Sequence, residues 1–447
     1  MNFIPDFPPP VRRSLLPLLL IAAASPPVAA QRTPDFEQPP ISYSTSIAAD
    51  AAAVLQDRIN TGALRMEGDE RRVLTELLAF LHVPVESQLL VFTKTSLQRG
   101  LIRPERPRAI YYSDSVYVGW VPGGLIEVAA IDPLLGPVFY AVDLRAGADR
   151  RSAVHRDPDC LRCHGGAFVR DIPAVFARSV FPDSTGEPML QLGTLVVEDD
   201  TPFADRWGGW YVTGYSGGTH HRGNSIFVDD KGRPSTTGAE ARPDKLDAYF
   251  DVERYLRPHS DVVSLLVFEH QTTMQNVLTR ANQSTRKMMA YQRSLQESFK
   301  EPFTDVPTYD SVKRVFASAT QEIVDRLLFR NAAPLPDGVD GGAAFKAAFT
   351  AAATRSRSGD SLRDFELKDR IFRLRCSYLI YSASFTALPA PLQSQVFHRL
   401  NEVLSGIDPD KRYDYIPHDE KSRIHQVLAE TVPTYAGLLE KSGNMQP

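Results

Sequence analysis

The sequence predicts an α+β fold, with N-terminal helices, a β-rich central region and a helical C-terminal region. Three patterns carry this reading. Between 46 and 83 apolar residues recur at three and four, from Ile47, Val54, Leu55 and Ile59 to Val73, Leu77, Leu78 and Leu81. From 89 to 230 they gather in short β-branched and aromatic runs separated by Asp, Gly and Pro. After about Asp251 the helical period returns. A content of 43% hydrophobic and 23% charged residues excludes a disordered or wholly membrane-embedded chain. The net charge of −4 gives no electrostatic case for nucleic acid.

The elements follow in order. Residues 1–30 read as a secretory signal peptide: Arg12 and Arg13 form the charged region, 15–24 is apolar, and Val28 and Ala30 are the small residues before cleavage. The apolar run is short for a bilayer and broken by Pro17, so no membrane span is expected in the mature chain. The prolines that follow predict an extended linker over 31–45. Asp50 and Asp69 stand at the starts of a helical hairpin. Strands are expected over 109–112, 116–121, 126–131 and 138–142, then 174–181, 190–198, 210–213 and 225–228. Pro258 with Ser260 or Asp261 signals a long helix to about Phe299, followed by helices over 308–329, 343–354, 362–384, 391–404 and 420–430. The regions are therefore 46–255, mixed and carrying the candidate site, and 256–447, helical and packed on it as one unit.

The candidate site is Cys160-Leu161-Arg162-Cys163-His164. Two thiols three positions apart can reach the two vinyl groups of a porphyrin, and the adjacent histidine can ligate its iron, which is the spacing of c-type haem attachment. A thioredoxin-like pair or half of a zinc site are the rival readings. The third cysteine, Cys376, lies far away in an apolar stretch, and no second CxxC or CxxH pair completes a zinc ribbon. The segment before Cys160 is polar, unlike the strand that precedes a thioredoxin-like motif. The expected cofactor is one covalently bound haem c, with His164 as proximal ligand. Haem attachment of this kind takes place outside the cytoplasm, so export to the periplasm or secretion fits the same reading.

The sixth iron position decides between electron transfer and small-molecule chemistry. His270 and Met274 lie four apart on one face of a predicted helix and are candidates, as is His221 in a glycine-rich loop beside His220. Met189 is a further sulfur, and Trp207, Trp210 and Tyr211 are candidate pocket aromatics. Arg206 and Arg222 are candidates for haem propionates. Core packing, hydrogen bonding and surface ion pairs are the ordinary alternatives for each. His155 is too near Cys160 in sequence to reach the opposite haem face, and His82, His259, His398, His418 and His425 carry no feature that raises them above surface or capping roles.

Several segments add a resemblance. Val91-Phe92-Thr93-Lys94-Thr95-Ser96-Leu97-Gln98, Arg108-Ala109-Ile110-Tyr111-Tyr112, Val116 to Val121, Arg206 to Gly214, Glu269-His270-Gln271 with Met274-Gln275-Asn276, and Cys376 to Ser382 resemble a family of secreted bacterial proteins with a single CxxCH, described as cytochrome c domain-containing. The similarity spans almost the whole mature chain and implies haem binding and electron transfer. Where such proteins read Gly-Thr-His-Gly and Arg-His-Met-Gly-Asn, this chain has Gly214-Tyr215-Ser216-Gly217 and His220-His221-Arg222-Gly223-Asn224. Ser216 and Arg222 thus replace a histidine and a methionine.

The expected function is a monohaem protein passing electrons to or from an unidentified redox partner. The alternative is a haem-dependent, peroxidase-like oxidoreductase that acts on a small molecule at an open distal position, with His220, His221 or Arg222 beside it.

Overall fold

The two aspartates at predicted helix starts cap the first two helices. Asp50 accepts from the backbone of Ala52 and Ala53 to begin α1 (Ala51–Asn60), and Asp69 accepts from Arg72 to begin α2 (Glu70–Phe80). The computed structural model describes residues 33–143, 153–227, 236–237, 245–335 and 338–443. The predicted signal peptide lies outside them. From Pro34 onward the chain forms one unit.

The β-rich centre is an antiparallel sheet of β1 (Leu89–Val91), β2 (Arg108–Tyr112), β3 (Val116–Trp120), β4 (Ile126–Asp132), β5 (Gly136–Asp143) and β6 (Ala153–Arg156). The six form a meander, and β9 (Trp210–Tyr211) extends it beside β1. The motif lies in a 3-10 turn, Pro158–Cys160, and the short α3 (Leu161–His164). Between it and β9 come the hairpin β7 (Ala177–Val180) and β8 (Thr194–Val197); β10 (Ile226–Phe227) and β11 (Thr236–Thr237) pair separately.

Alternation along the strands gives the sheet two buried faces. One, with Ala109, Tyr111, Val118, Trp120, Val128 and Tyr140, packs on α1 and α2. The other, with Ile110, Tyr112, Tyr117, Ile131 and Phe139, packs on the helical region. The expected linker joins the first of these cores: Phe36, Ile41 and Tyr43 are each at most 2% exposed. Their apolar surface outweighs the extended bias of the neighbouring prolines.

Asp261 caps α4 (Val262–Phe299), which lies across the second face and is buried almost all round through its first two dozen residues. Around it stand α5 (Asp310–Leu327), α6 (Ala343–Ala351), α7 (Ala383–Thr386), α8 (Ala390–Leu404), α9 (His418–Thr431) and α10 (Pro433–Gly443). The helix expected over 362–384 is replaced by a tight loop with a Phe365–Phe372 bridge, a 3-10 turn at Tyr378–Tyr381 and α7. Phe372, Leu374 and Cys376 are buried at a period of two, a spacing that no helix face keeps, and the chain between them runs through bends. Among the described residues no helix is long and apolar enough to cross a membrane.

Leu278 of α4 is fully buried in the core beneath the sheet. Leu278→Ala is expected to lower the unfolding free energy by about 2–5 kcal/mol. Denaturant titration followed by circular dichroism measures it.

Candidate functional site

Strand β6 ends at Arg156, whose guanidinium donates to the carbonyls of Ser46 (3.1 Å) and Tyr43 (2.7 Å), fixing where the chain leaves the sheet. Asp157 then accepts from Asp159 N–H, and the chain turns through Cys160 into α3. Cys160, Cys163 and His164 all line one cavity between the motif, the sheet and α4. The sheet wall is hollow where Gly119 and Ala129 stand in adjacent cross-strand rows, flanked by Ile110, Tyr117 and Phe139. Phe268 of α4 closes the far side.

His164 is held from both sides. Its ring lies 4.8 Å from that of Phe139 and 5.0 Å from that of Phe176. Nδ1 is 2.7 Å from the carbonyl of Ala174. A carbonyl can only accept, so Nδ1 carries the proton and Nε2 keeps its lone pair, the tautomer a metal ligand needs. Burial, helped by the Arg108 guanidinium, lowers the imidazole's pKa against the pull of Ala174, favouring the neutral form.

The thiols differ. Cys163 is exposed, whereas Cys160 is partly buried and its thiol is pushed up to about 12 by burial and then by Asp157 and Glu127. A thioredoxin-like nucleophile needs the opposite shift. Among the described residues no group of three or more His, Cys, Asp and Glu side chains converges as zinc ligands would. Thiols spread along a cavity rim beside an imidazole with a bare Nε2 are a donor set that could hold a haem c.

The three candidate sixth ligands lie elsewhere. His270 is fully buried, with Nδ1 donating to the Asp199 carboxylate (3.1 and 3.2 Å), Nε2 2.7 Å from Ser377 Oγ, and its ring stacked on Phe329. Burial opposes ionisation of Asp199, but His270, Arg326 and Arg206 together hold its carboxyl below the usual range. The order Asp199–His270–Ser377 is that of a hydrolytic triad, yet Ser377 is fully buried, and neither it nor His270 lines the cavity that Asp199 borders. Met274 is fully enclosed in the core of α4. His221 packs its ring on Trp207 (4.9 Å), and its Nδ1 accepts from Gly223 N–H (3.0 Å). None of the three borders the motif's cavity.

The other candidates also lie away from this cavity. His220 is exposed, and Met189 sits in the loop between β7 and β8. Arg206 is buried against Glu269 (2.8 Å) and the carbonyls of Thr201 and Asp199, while Arg222 pairs with Asp205. Trp207 and Trp210 are core residues, and Tyr211 donates to the carbonyl of Pro104. Cys376 is a buried thiol, pushed up to about 12 by burial.

The cavity instead carries a polar group that sequence patterning did not single out. Arg108 reaches across β3 to pair with Glu127, which also accepts from Ser96 Oγ (2.9 Å). A Cβ at Gly119 would overlap that guanidinium, so glycine permits the crossing. Arg108 Nε is buried without a hydrogen-bond partner. The available signal was a charge in each of two apolar strands with a glycine in the strand between them.

No protein-family model, no curated protein and no solved structure matches this chain.

Burial, with His220 alongside, pushes His221 down to about 4. The unfolded chain therefore binds a proton there between its ordinary value and about 4, while the fold resists it. The contribution is complete above about pH 6.5 and is lost as pH falls, by up to roughly 3 kcal/mol near pH 4. Urea titrations of wild type and His221→Gln should show the variant losing less stability over this window.

Proposed function

We propose that this chain is an exported c-type haem protein in which Cys160 and Cys163 hold one haem by thioether bonds and His164 ligates its iron through Nε2. The observation that supports it most is the Ala174 carbonyl 2.7 Å from His164 Nδ1, at a cavity that both motif thiols also line. Such a backbone partner fixes the tautomer of a metal-binding imidazole and raises its basicity. Phe139 and Phe176 flank the ring, excluding water and favouring the neutral ligand. When bound, the haem supplies a one-electron couple and a second axial position.

Electron transfer to a redox partner is the first reading. Cys163 is exposed and Leu97 at the cavity is 53% exposed, so this side of the site opens to the surface where a partner can approach.

The second reading, a haem-dependent oxidoreductase acting on a small molecule, is favoured by the cavity wall. Among its described lining residues His164 is the one imidazole and there is no methionine, whereas Arg108, Glu127 and Ser96 form a polar cluster there. With a haem bound, Arg108 would supply positive charge at the cavity wall and Glu127 a carboxylate able to hold a proton.

The test is expression in a host that attaches c-type haem. Wild type should carry haem through denaturing electrophoresis, and the Cys160→Ala/Cys163→Ala double variant should carry none covalently; attachment that survives in the variant refutes the proposal. Spectra of the reduced protein with carbon monoxide then separate the two readings. An unresponsive low-spin iron supports electron transfer, and a carbon monoxide complex supports the second reading.

A further inference from the structure

The carbonyl that holds His164 belongs to a stretch of irregular backbone, and one side chain grips that stretch from the long helix. Asn276 Oδ1 accepts from Val175 N–H (3.2 Å), and Asn276 Nδ2 donates to the Val175 carbonyl (2.8 Å). The amide thereby replaces the strand partner that Val175 lacks. Next to it, Ala174 is bonded to His164 twice: Ala174 N–H donates to the His164 carbonyl (2.8 Å), and His164 Nδ1 donates to the Ala174 carbonyl. The peptide group shared by Ala174 and Val175 therefore links two hydrogen bonds, one from Asn276 on α4 and one from the imidazole.

Asn276 rests on a rigid part of the fold. On the same helix, Gln271 Nε2 donates to the Ser113 carbonyl (2.7 Å) and Gln275, next to Asn276, donates through Nε2 to that of Asp114 (3.1 Å), tying the helix to the turn between β2 and β3. A clamp mounted on a fixed helix restricts the Ala174 carbonyl to the direction of Nδ1. Without it, the peptide group between Ala174 and Val175 loses its tie to α4, and the Ala174 carbonyl is free to turn from Nδ1.

We propose that Asn276 is a positioning residue for the iron ligand: it does not touch the cofactor, but it sets the strength of the Nδ1–H···O=C bond and through it the electron donation of the imidazole. The inference rests on the reading of His164 as the axial ligand. A strong bond at Nδ1 makes Nε2 more basic and stabilises the oxidised iron, so weakening it should raise the reduction potential.

The experiment uses the haem-loaded protein. Asn276→Ala should still bind haem covalently, show a higher midpoint potential than wild type, and exchange the His164 Nδ1 proton about tenfold faster by NMR, the consequence of losing roughly one hydrogen bond. Asn276→Asp keeps the acceptor for Val175 N–H and loses the donor, so it should fall between the two and serves if the alanine variant folds poorly. Gln283→Ala removes a comparable bond from the same helix, to the Leu135 carbonyl (3.0 Å) and with no link to Val175, and should leave potential and exchange unchanged. Equal shifts in Gln283→Ala and Asn276→Ala, or no shift in Asn276→Ala, would overturn the clamp while leaving haem attachment standing. If His164→Ala kept the wild-type spectrum and potential, both the ligand assignment and the clamp would fall.

Discussion

A backbone carbonyl buried without a partner costs more than most side-chain contacts gain, and this fold buries many outside its sheet and helices. Helix α4 meets that constraint with amide side chains. Gln271, Gln275, Asn276, Asn282, Gln283 and Gln292 donate in turn to carbonyls of Ser113, Asp114, Val175, Ala387, Leu135 and Val306. The recipients lie in turns and loops from the sheet, the motif region and the helical layer. One helix thus holds together segments that could not satisfy each other, which explains how it can be both polar in sequence and buried in place.

The same requirement shapes the site. A neutral imidazole with one nitrogen free needs a partner for the other that accepts and never donates, and a backbone carbonyl is such a group. Arg108 and Glu127 meet the cavity as a pair, so two charges enter an otherwise apolar wall without leaving either alone. The cluster of Arg206, Glu269, Asp199 and His270 follows this rule deeper in the core, although burial still pushes Glu269 up to about 7 against its arginine.

Local signals in the sequence carried most of the fold. Asp50, Asp69 and Asp261 announce helices because a cap acts within three residues, and the β-branched runs announce strands because alternation is short-ranged. Residues 362–384 misled because tertiary packing bends the chain to bury Phe372, Leu374 and Cys376, in a stretch otherwise compatible with a helix. At the candidate site, the grouping of Cys160, Cys163 and His164 at one cavity was readable because the three are near neighbours along the chain. The fate of His270 was not: periodicity places it correctly in the core, but Asp199 and Ser377, 71 and 107 residues away, decide that both its nitrogens are occupied. Arg108 required the register that sets Gly119 between it and Glu127.

The grip of Asn276 on Val175 joins residues 101 apart. A chain that emerges N-terminus first therefore presents Cys160 to His164 before the helix whose side chain grips Val175 exists. In that interval the partners of Arg156, the carbonyls of Tyr43 and Ser46, are already made, while nothing yet holds the Val175 backbone. Arrival of α4 ends the interval, so the two flanks of the motif gain their anchors at different stages of synthesis.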